Sequence, residues 1–489
     1  MAARDFDPEG KRLPIKIEPM SNGEYVARPL TRAQRLARDL AQEAASENAR
    51  RMGLARRAFM VSACGAASAL IACNRANAVM GARGGFFAVA DDAATDLDLA
   101  MASVGGDEFI FDVQTHCVDP AASWARGRDG DIWRQVLTEM FGQRTKCTDG
   151  SFDCYSAQQL AKEVFLDSDT DAAVVSALWG KPGNNPTPVE YAAEAREVMD
   201  AIGGEGARTL IHGGVFPNEP GDIEAMDEKA QRYKVDAWKL YPQWGPERVG
   251  LFLDPSADAA RMFDRARQLG VKTIAVHKGV PLPGLQYEQS SPRDMGPAAA
   301  ANPDLTFLVY HSGWEPGVPE GPYNAAEPKG VDRLIRSHQD AGLKRNEGNL
   351  YAELGSTWNF FRGRPDEAAH LMGKLLKYFG EDRIMWGTDA LWAGSPQDQI
   401  QAFRAFEISE EFQERYGYPA LTKMAKAKIF GLNGARVYGI DVKKLKGKSP
   451  LLERRSSYRE APNPSFATFG PKNRREFLSL WEARGGRPG

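Results

Sequence analysis

Short apolar runs alternate with longer charged segments along the chain from about residue 107 onwards. The runs are rich in β-branched and aromatic residues, as is typical of buried strands, and the charged segments have helical spacing. The predicted strands cover residues 109–113, 173–178, 208–215, 236–240, 271–277, 305–311, 349–354 and 383–388. Helices are predicted over Glu190–Ile202, Asp258–Leu269, Val331–Ala341 and Glu367–Tyr378. Eight strands with helical crossovers predict an α/β fold, a (β/α)8 TIM-like barrel, over residues 107–440.

An insertion follows the first predicted strand, because the connection over residues 117–172 is longer than an ordinary βα loop. We expect it to sit over the mouth of the barrel as a partial lid. The spacing of Cys147 and Cys154 inside it is compatible with a disulfide, although two buried thiols explain it nearly as well. Cys117 is predicted to be structural, since its side chain should point away from the face that His116 uses.

The N-terminal extension, residues 1–106, contains a segment that resembles a twin-arginine export signal. The pair Arg56-Arg57 precedes Phe59 and an alanine-rich apolar run, so the signal is predicted over about residues 50–78, with a linker after it. The run is too short for a membrane span. Cleavage could follow Ala76-Asn77-Ala78, or Cys73 could be the lipidated residue of a lipoprotein. A periplasmic or secreted protein is predicted, and a cytoplasmic protein with an amphipathic extension is the alternative.

Composition narrows the class of partner. With 62 Lys+Arg against 65 Asp+Glu the formal net charge is -3, and no basic stripe interleaved with aromatic residues occurs, which argues against nucleic acid. Hydrophobic residues at 43% and charged residues at 26% indicate a globular chain, with no membrane span in the mature protein. Residues 441–489 form a C-terminal tail, which is expected either to wrap a surface or a neighbouring subunit or to stay partly disordered.

Four of the predicted strands end in a residue that can bind a metal ion. His116, His277, His311 and Asp389 stand at or just after the ends of the first, fifth, sixth and eighth strands. In a (β/α)8 barrel these strand ends meet at one mouth, so the four side chains are expected to converge. A divalent cation held there would activate a water molecule or polarise a carbonyl group. The alternative is that these side chains are buried in the core, with their polar atoms hydrogen-bonded, and bind no metal.

The same stretch carries an ordered series of motifs. They are Asp112-Val-Gln114-Thr-His116, His277, His311-Ser-Gly, Gly387-Thr-Asp389 and Asn433-Gly-Ala-Arg436. In this order the set resembles the amidohydrolase-related family, in the branch of the amidohydrolase superfamily that includes aminocarboxymuconate-semialdehyde decarboxylase. The resemblance implies that His116, His277 and Asp389 are metal ligands and that His311 and Asp389 are catalytic acid/base residues. Relatives of this kind are often dimers, so a homodimer is a further expectation.

Gln114 departs from the family pattern, which usually has a histidine at this position, or a glutamate in some decarboxylases. A neutral amide oxygen can bind a hard cation, but it is a poorer zinc ligand than imidazole. Gln114 is therefore a fourth candidate ligand, and the expected cofactor is one divalent ion, either zinc or manganese.

Substrate anchors are predicted from charge and from ring character. Lys239, at the end of the fourth strand, and Arg126 and Arg128 in the insertion could bind a substrate carboxylate. Lys239 could equally pair with an acid inside the barrel. Trp314 is one of several tryptophans at or just after strand ends. Their flat rings would line the pocket, and such walls favour a cyclic or aromatic substrate.

Three functions compete. The leading prediction is a metal-dependent hydrolase that uses metal-activated water on a small cyclic or aromatic carboxylic compound. The alternative is a non-oxidative, metal-dependent decarboxylase, that is, a carboxy-lyase of an aromatic or muconate-like acid. Gln114 does not separate the first two functions, because decarboxylases with an oxygen ligand at this position make the lyase a serious rival, whereas export from the cytoplasm favours a degradative hydrolase. The third is a metal-free barrel that only binds a ligand.

Overall fold

Ten strands form the sheets of the part of the chain that the structure describes. The structure, a computed structural model, describes residues 13–17, 30–141, 151–204, 208–282, 284–447 and 449–460. The strands are β1 (Gly85–Phe87), β2 (Phe111–Thr115), β3 (Ala172–Ser176), β4 (Thr209–Gly214), β5 (Ala237–Leu240), β6 (Thr273–His277), β7 (Thr306–Tyr310), β8 (Leu350–Glu353), β9 (Ile384–Met385) and β10 (Phe406–Ile408). Strands β2 to β9 form one parallel sheet in sequential order, and β1 pairs antiparallel with β10.

The eight-stranded sheet closes on itself between its first and last strands. The backbone N–H of Val113 donates to the carbonyl oxygen of Trp386 at 3.0 Å, and the N–H of Asp389 donates to that of Gln114 at 2.9 Å. Thr115 and Ala390 form a parallel bridge at the same seam. The predicted TIM-like barrel is confirmed, and each predicted strand overlaps its counterpart with ends that differ by a few residues, as strand ends usually do.

Helices surround the barrel and extend it at both chain ends. They are α1 (Arg32–Arg51), α2 (Arg56–Met60), α3 (Ala63–Val79), α4 (Leu97–Val104), α5 (Gly127–Gln135), α6 (Ala157–Ala161), α7 (Val189–Gly203), α8 (Met226–Gln231), α9 (Ala257–Leu269), α10 (Met295–Ala301), α11 (Asp332–Asp340), α12 (Thr357–Phe361), α13 (Pro365–Tyr378), α14 (Gln397–Ala405), α15 (Glu410–Tyr416), α16 (Lys423–Ala427), α17 (Asn433–Tyr438), α18 (Val442–Lys446) and α19 (Pro450–Glu460). In the described ranges no helix is long and apolar enough to cross a membrane.

Local sequence explains where a crossover helix such as α9 begins and ends. The hydroxyl of Ser256 accepts from the backbone N–H of Ala259 at 3.1 Å and so caps the first turn. At the other end Gly270 has φ +73, a left-handed conformation that glycine adopts without steric cost, and the helix stops there. Met262, Phe263 and other apolar residues of one face are buried between the two caps.

The lower part of the barrel is filled, which leaves the carboxyl ends of the strands for chemistry. Phe111 and Tyr438 meet edge to face with ring centroids 5.5 Å apart, so α17 covers the amino-terminal end of the barrel. Above this contact the hydroxyl of Tyr438 lies 2.6 Å from Nε2 of His212, and Nδ1 of His212 lies 2.7 Å from the hydroxyl of Tyr310. This buried polar chain shows that His212 belongs to the core.

The segment that resembles an export signal is folded as helices α2 and α3. Helix α3 buries twelve of its 17 residues, among them Leu70, Ala72 and Cys73. It packs against α1, α4 and α14. The side chain of Asn74 forms two hydrogen bonds with the backbone of Phe87 in β1, of 2.7 and 2.9 Å. Whether this segment directs export stays a prediction.

The insertion after β2 packs against the segments that follow β3 and β5, and its role as a partial lid stays a prediction. Its indole Trp133 donates to the carbonyl oxygen of Trp179, after β3, at 2.8 Å. Its carboxylate Asp129 accepts from the indole of Trp244, after β5, at 3.1 Å. Cys154 is disulfide-bonded, and Cys147 lies outside the described residues. Cys64, Cys73 and Cys117 are buried thiols.

The beginning of the C-terminal tail packs on the barrel itself. The Nη2 atom of Arg208 donates to the carbonyl oxygen of Leu445 and to the hydroxyl of Ser449, both at 2.6 Å. Nε of Arg455 donates to the carbonyl oxygen of Phe165 at 2.8 Å. Residues 441–447 and 449–460 of the predicted tail therefore pack on a surface of their own subunit, and residues 461–489 lie outside the described residues.

Candidate active site

The four predicted metal-site residues lie together at the carboxyl ends of the barrel strands. Their side chains are almost completely buried: the exposed fraction is 1% for His116 and His277, 0% for His311 and 4% for Asp389. They come from opposite parts of the sequence, and only the closure of the barrel between β9 and β2 brings Asp389 beside His116. A site at this position is typical of barrel enzymes.

Within this pocket the four side chains form two close pairs. Nε2 of His116 lies 3.0 Å from Oδ1 of Asp389, and the ring centroids of His277 and His311 are 4.6 Å apart. The two pairs are close enough to interact electrostatically, because Asp389 raises the pKa of His311 and His116 lowers it. Among the described residues, no three His, Cys, Asp or Glu side chains stand at metal-binding spacing. The side chains are therefore grouped in pairs and do not form a complete coordination shell, and their assignment as metal ligands and catalytic residues stays a prediction.

The hydrogen bonds of the three histidines nevertheless prepare them to bind a cation. Nδ1 of His116 lies 2.8 Å from the carbonyl oxygen of Ser176, Nε2 of His277 lies 2.9 Å from that of Val280, and Nδ1 of His311 lies 2.8 Å from that of Gly355. A carbonyl oxygen only accepts, so each of these nitrogens carries the ring proton. In the neutral ring the other nitrogen is then an acceptor, and this is the state in which histidine binds metals.

Two of these imidazoles are held neutral by their surroundings. Burial lowers the pKa of His311 to about 4, and burial together with the neighbouring His311 and Lys239 lowers the pKa of His277 well below its usual value. Burial alone would raise the pKa of Asp389, but the His116 and His311 side chains and the Ser356 hydroxyl hold it at about 2. At neutral pH the site thus contains two neutral imidazoles, those of His277 and His311, and an ionised carboxylate, which are groups that can bind a divalent cation.

Gln114 stands where a further ligand would be expected, but its amide is turned. Its Nε2 donates to Oδ1 of Asp389 at 3.0 Å and lies 3.4 Å from Nε2 of His116. The amide therefore turns an N–H donor, which cannot bind a cation, towards these two side chains. Gln114 can ligate only if its amide rotates and presents Oε1. Its role as a ligand therefore stays a prediction.

Backbone strain is concentrated at this site. His311, Ser312, Ser356 and Asp389 have φ values of 60, 50, 54 and 59, all in the left-handed region that non-glycine residues seldom occupy. The turn at Ser356 points its hydroxyl at Oδ2 of Asp389, to which it donates at 2.6 Å. Nothing in the sequence marked Ser356, because a serine after a strand is common and its partner is 33 residues away.

Two buried carboxyl groups support the strand ends from below. Glu353 accepts from the backbone N–H groups of His311 and Gly355 at 3.0 and 2.6 Å, and burial raises its pKa well above the usual value. A Cβ atom on Gly387 would lie 1.6 Å from Oε1 of Glu353, so a larger residue there would displace this carboxyl from its hydrogen bonds. Asp112 accepts from the N–H of Thr388 at 3.0 Å. These contacts fix the turn that leads to Asp389.

Sequence comparison assigns the chain to a family. The family model described as amidohydrolase, Amidohydro_2, matches residues 168–440, more than half of the chain. The chain belongs to the amidohydrolase family. The matched region includes His277, His311 and Asp389, whereas Gln114 and His116 precede it. No curated protein matches this amidohydrolase.

Several solved structures are similar to this amidohydrolase. The 5-carboxyvanillate decarboxylase LigW from Sphingomonas paucimobilis is 14% identical, with 68% of this chain and 99% of that chain covered and a TM-score of 0.42. The 2,6-dihydroxybenzoate decarboxylase from Rhizobium is 14% identical, with 68% and 99% covered and a TM-score of 0.39. The 4-oxalomesaconate hydratase LigJ from Rhodopseudomonas palustris is 14% identical, with 72% and 99% covered and a TM-score of 0.38.

Aromatic rings wall the amidohydrolase pocket on two sides. Trp392 stacks on His116 with ring centroids 5.7 Å apart, and Tyr241 stacks on His277 at 4.8 Å. Tyr155 of the insertion packs on Trp392 at 5.8 Å and so connects the insertion to this wall. Trp392 follows the eighth predicted strand, where a tryptophan is expected to line the site, but the sequence does not single out Tyr241, because a Tyr-Pro pair after a strand is an ordinary turn signal.

The predicted substrate anchors of the amidohydrolase lie at different depths. Lys239 is fully buried, with Nζ 3.6 Å from the ring centroid of Tyr310 and 4.4 Å from that of Tyr241, so it lies beneath the histidines. Arg126 and Arg128 are exposed on the insertion, and Arg128 lines a cavity of about 440 Å³ at the mouth. Trp314 is buried against Phe360 and Phe361, with centroid distances of 5.1 Å.

Proposed function

We propose that this amidohydrolase is a metal-dependent carboxy-lyase, which removes CO2 without oxidation from a small aromatic or muconate-like acid. One observation carries the proposal: the candidate ligands are at most 4% exposed and lie between stacked aromatic rings. Loss of CO2 needs no water, and a pocket that excludes water favours it, because the charge of the carboxylate disperses as the bond to CO2 breaks.

Proton transfer can be assigned to Asp389. A divalent cation bound by His116, His277 and Asp389, with Gln114 once its amide has turned, would supply polarisation of the substrate carboxylate and a neighbouring oxygen. Asp389, ionised at neutral pH, accepts the proton of a substrate hydroxyl and returns it to the ring carbon as the carbon–carboxyl bond breaks. The bond electrons form the new C–H bond, CO2 leaves, and the product oxyanion takes a proton from water on release.

His311 and Ser356 serve this transfer in different ways. His311 presents Nε2 as an acceptor, which no hydrogen bond among the described residues occupies, and can therefore align a substrate hydroxyl for Asp389. Ser356 holds Oδ2 of Asp389 and so restricts the carboxylate to one orientation. Lys239 lies with Nζ over the Tyr310 and Tyr241 rings and, in its protonated form, would offset the negative charge that an acid brings into the site.

Hydrolysis is the second candidate, and the ionised state of Asp389 favours it. A carboxylate held at a pKa of about 2 beside neutral imidazoles can accept a proton from water as readily as from a substrate hydroxyl. The same side chains would then serve a hydrolase of a cyclic or aromatic carboxylic compound. Water must reach the pocket in this case, which the burial of the site disfavours.

The deciding experiment compares loss of CO2 with addition of water. Protein purified after growth with manganese and zinc is incubated with a panel of hydroxybenzoic acids, lactones and anilides, and products are analysed by mass spectrometry in D2O. The lyase predicts a product that lacks CO2 and carries one deuterium on carbon, and Asp389→Asn should abolish it. Products that only gain water would support the hydrolase instead. Ligand binding without turnover or bound metal would support the metal-free barrel.

A further inference from the structure

The N-terminal layer, residues 13–17 and 30–79, packs against helices α4 and α14 outside the barrel strands. We propose that this layer remains in the mature protein, and that Lys16 is a positioning residue, which acts through Asp398 and Arg362 on the turn that holds Ser356 against Asp389. The layer includes the segment that resembles an export signal. The role of Lys16 in positioning Asp389 rests on the proposed function, whereas the retention of the layer does not.

The packing of the layer is that of a core element. Leu13, Ile15 and Ile17 are exposed by only 1 to 2%, and Phe59 and Leu70 are fully buried. Removal of the layer would uncover this apolar surface, and burial contributes about 1.5–3 kcal/mol for each large apolar side chain. A side chain of Gln34, at the start of α1, donates to the carbonyl oxygen of Ile17 at 3.4 Å and links the two parts of the layer.

A buried ion cluster joins the layer to the barrel. The backbone N–H and the Nζ atom of Lys16 both donate to Oδ2 of Asp398 at 3.2 Å, and Nη1 of Arg362 donates to the same oxygen at 2.6 Å. Burial alone would raise the pKa of Asp398, but Arg362 and Lys16 hold it below the usual value. All three side chains are at most 8% exposed, and two cations share one carboxylate, so loss of the Lys16 ammonium removes one of the two charges that hold Asp398 and leaves Arg362 as its remaining partner in this cluster.

One short helix connects this cluster to the pocket. Helix α12 lies between Ser356 and Arg362, and the amide of Arg362 closes it by donating to the carbonyl oxygen of Trp358 at 3.0 Å. At its other end the hydroxyl of Thr357 donates to the carbonyl oxygen of His311 at 3.0 Å. Arg362 is therefore one helix length from the hydroxyl that holds Asp389, and displacement of its guanidinium shifts that helix.

Both predicted processing sites lie within helix α3, at different degrees of exposure. Ala72 and Cys73 are 3% and 2% exposed and Ala76 is fully buried, whereas Ala78 and Val79, which flank the second site, are exposed in the last turn of the helix. Cleavage at either site would remove Lys16 and all of α1, which packs along α3. A peptidase needs an extended and accessible chain, so the folded layer is a poor substrate. Export by the twin-arginine route, which carries folded proteins, remains compatible with a retained layer.

Intact mass tests the retention of the layer. The full chain is expressed in a bacterium that has a twin-arginine route, and the protein is recovered separately from cytoplasm and periplasm. The expected mass includes residues 13–79 in whichever compartment contains the protein. A mature protein that begins at Cys73 or after Ala78 would overturn the proposal, whatever the enzyme does.

Hydrogen exchange and manganese affinity test the role of Lys16. Lys16→Met keeps the length of the side chain and removes its charge, and Lys16→Arg restores the charge. For Lys16→Met we expect amide exchange over residues 356–362 and the dissociation constant for Mn²⁺ to rise by about threefold to tenfold, with recovery in Lys16→Arg. Lys428→Met, which removes a lysine paired with Glu381 and Asp382 before β9, is the matched control.

The outcomes separate the two proposals. Unchanged exchange over residues 356–362 in Lys16→Met, or the same change in Lys428→Met, would overturn the role of Lys16. Wild-type protein that binds no Mn²⁺ would overturn the proposed function, and exchange would still decide whether Lys16 fixes the turn. If Lys16→Met does not fold, Asp398→Asn, which keeps the shape of the side chain, replaces it in both measurements.

Discussion

Ser356 sits in a strained conformation in order to hold Asp389. Its φ of 54 suits glycine better than serine, and its hydroxyl donates to the carboxylate at 2.6 Å. Ser356→Ala removes the hydrogen bond to Asp389 and keeps the backbone strain. Ser356→Gly removes the hydrogen bond and also relieves the strain. We expect turnover to fall by about tenfold in both variants. We expect Ser356→Gly to exceed Ser356→Ala in free energy of unfolding by about 1 kcal/mol.

Steady-state rates and urea unfolding check these two effects of Ser356 separately. Ser103→Ala is the control, because its exposed hydroxyl only donates to the carbonyl oxygen of Leu99. A Ser356→Ala enzyme with the wild-type rate would show that the hydrogen bond does not orient Asp389.

The buried carboxyl of Asp112 makes stability depend on pH in the direction opposite to an ordinary ion pair. Burial raises its pKa from 3.8 to about 7. The folded state therefore binds a proton that the unfolded state has lost between these values, and the free energy of unfolding falls as pH rises through this window. The slope is at most about 1.4 kcal/mol per pH unit for one group. Below pH 3.8 and above pH 7, Asp112 has the same charge in both states and does not make the free energy of unfolding depend on pH.

Urea unfolding at several pH values between 4 and 7 checks the contribution of Asp112. Asp112→Asn can accept from the Thr388 N–H and donate to the Thr388 hydroxyl, so it keeps the fold. The variant should have a flatter profile than the wild type, and the difference between the two isolates Asp112 from other buried acids. Parallel profiles would contradict the assignment.

At the scale of elements, the insertion decides how the pocket is reached. Its helix α5 is tied to the mouth by Trp133 and by the bond between Asp129 and Trp244. Trp244→Phe keeps a ring against Phe216 and removes the N–H donor. The insertion should then open more often, and removal of bound manganese by a chelator should be several-fold faster.

The matched control for Trp244→Phe is Trp238→Phe. The Trp238 indole also donates to a carbonyl oxygen, that of Val271, but Val271 precedes β6 and so lies at the amino-terminal end of the barrel. Stopped-flow measurement of metal release compares the variants. Equal acceleration in both would point to general loosening, and no acceleration in Trp244→Phe would mean that the insertion does not limit access.

The barrel strands could be predicted from sequence because their physical signal is local. Each is a short apolar run, and a polar residue such as His277 directly follows its buried strand. The N-terminal layer could not be separated from an export signal, because an alanine-rich run such as that of α3 satisfies the composition of a signal and of a closely packed helix equally. An export signal and a packed helix are distinguished only by the residues that contact Leu70 and Lys16 in the folded chain, and these residues are distant in sequence.

The site was predictable in position but not in detail, for a similar reason. Strand ends converge by the geometry of a barrel, so His116, His311 and Asp389 could be grouped in advance. The rotation of the Gln114 amide and the reach of Ser356 to Asp389 depend on turns with positive φ, which sequence periodicity does not encode.

For the whole molecule, a bound ion would connect strands from opposite sides of the barrel. His116 and Asp389 flank the seam between β2 and β9, while His277 lies across the mouth on β6. A ligand that binds only the folded state stabilises it by mass action, by about 2.7 kcal/mol at a concentration 100 times its dissociation constant. We therefore expect the Tm to rise with MnCl2 concentration.

Differential scanning fluorimetry with manganese and with zinc checks this expectation. Asp389→Asn should lose the rise, whereas Asp382→Asn, which alters a carboxylate paired with Lys428 before β9, should retain it. Gln114→Ala separates the two metals: if the amide oxygen ligates, this variant loses more affinity for manganese, which accepts oxygen donors, than for zinc. Equal losses would mean that Gln114 acts only as a donor to Asp389, and an unchanged Tm in the wild type would favour a barrel that works without metal.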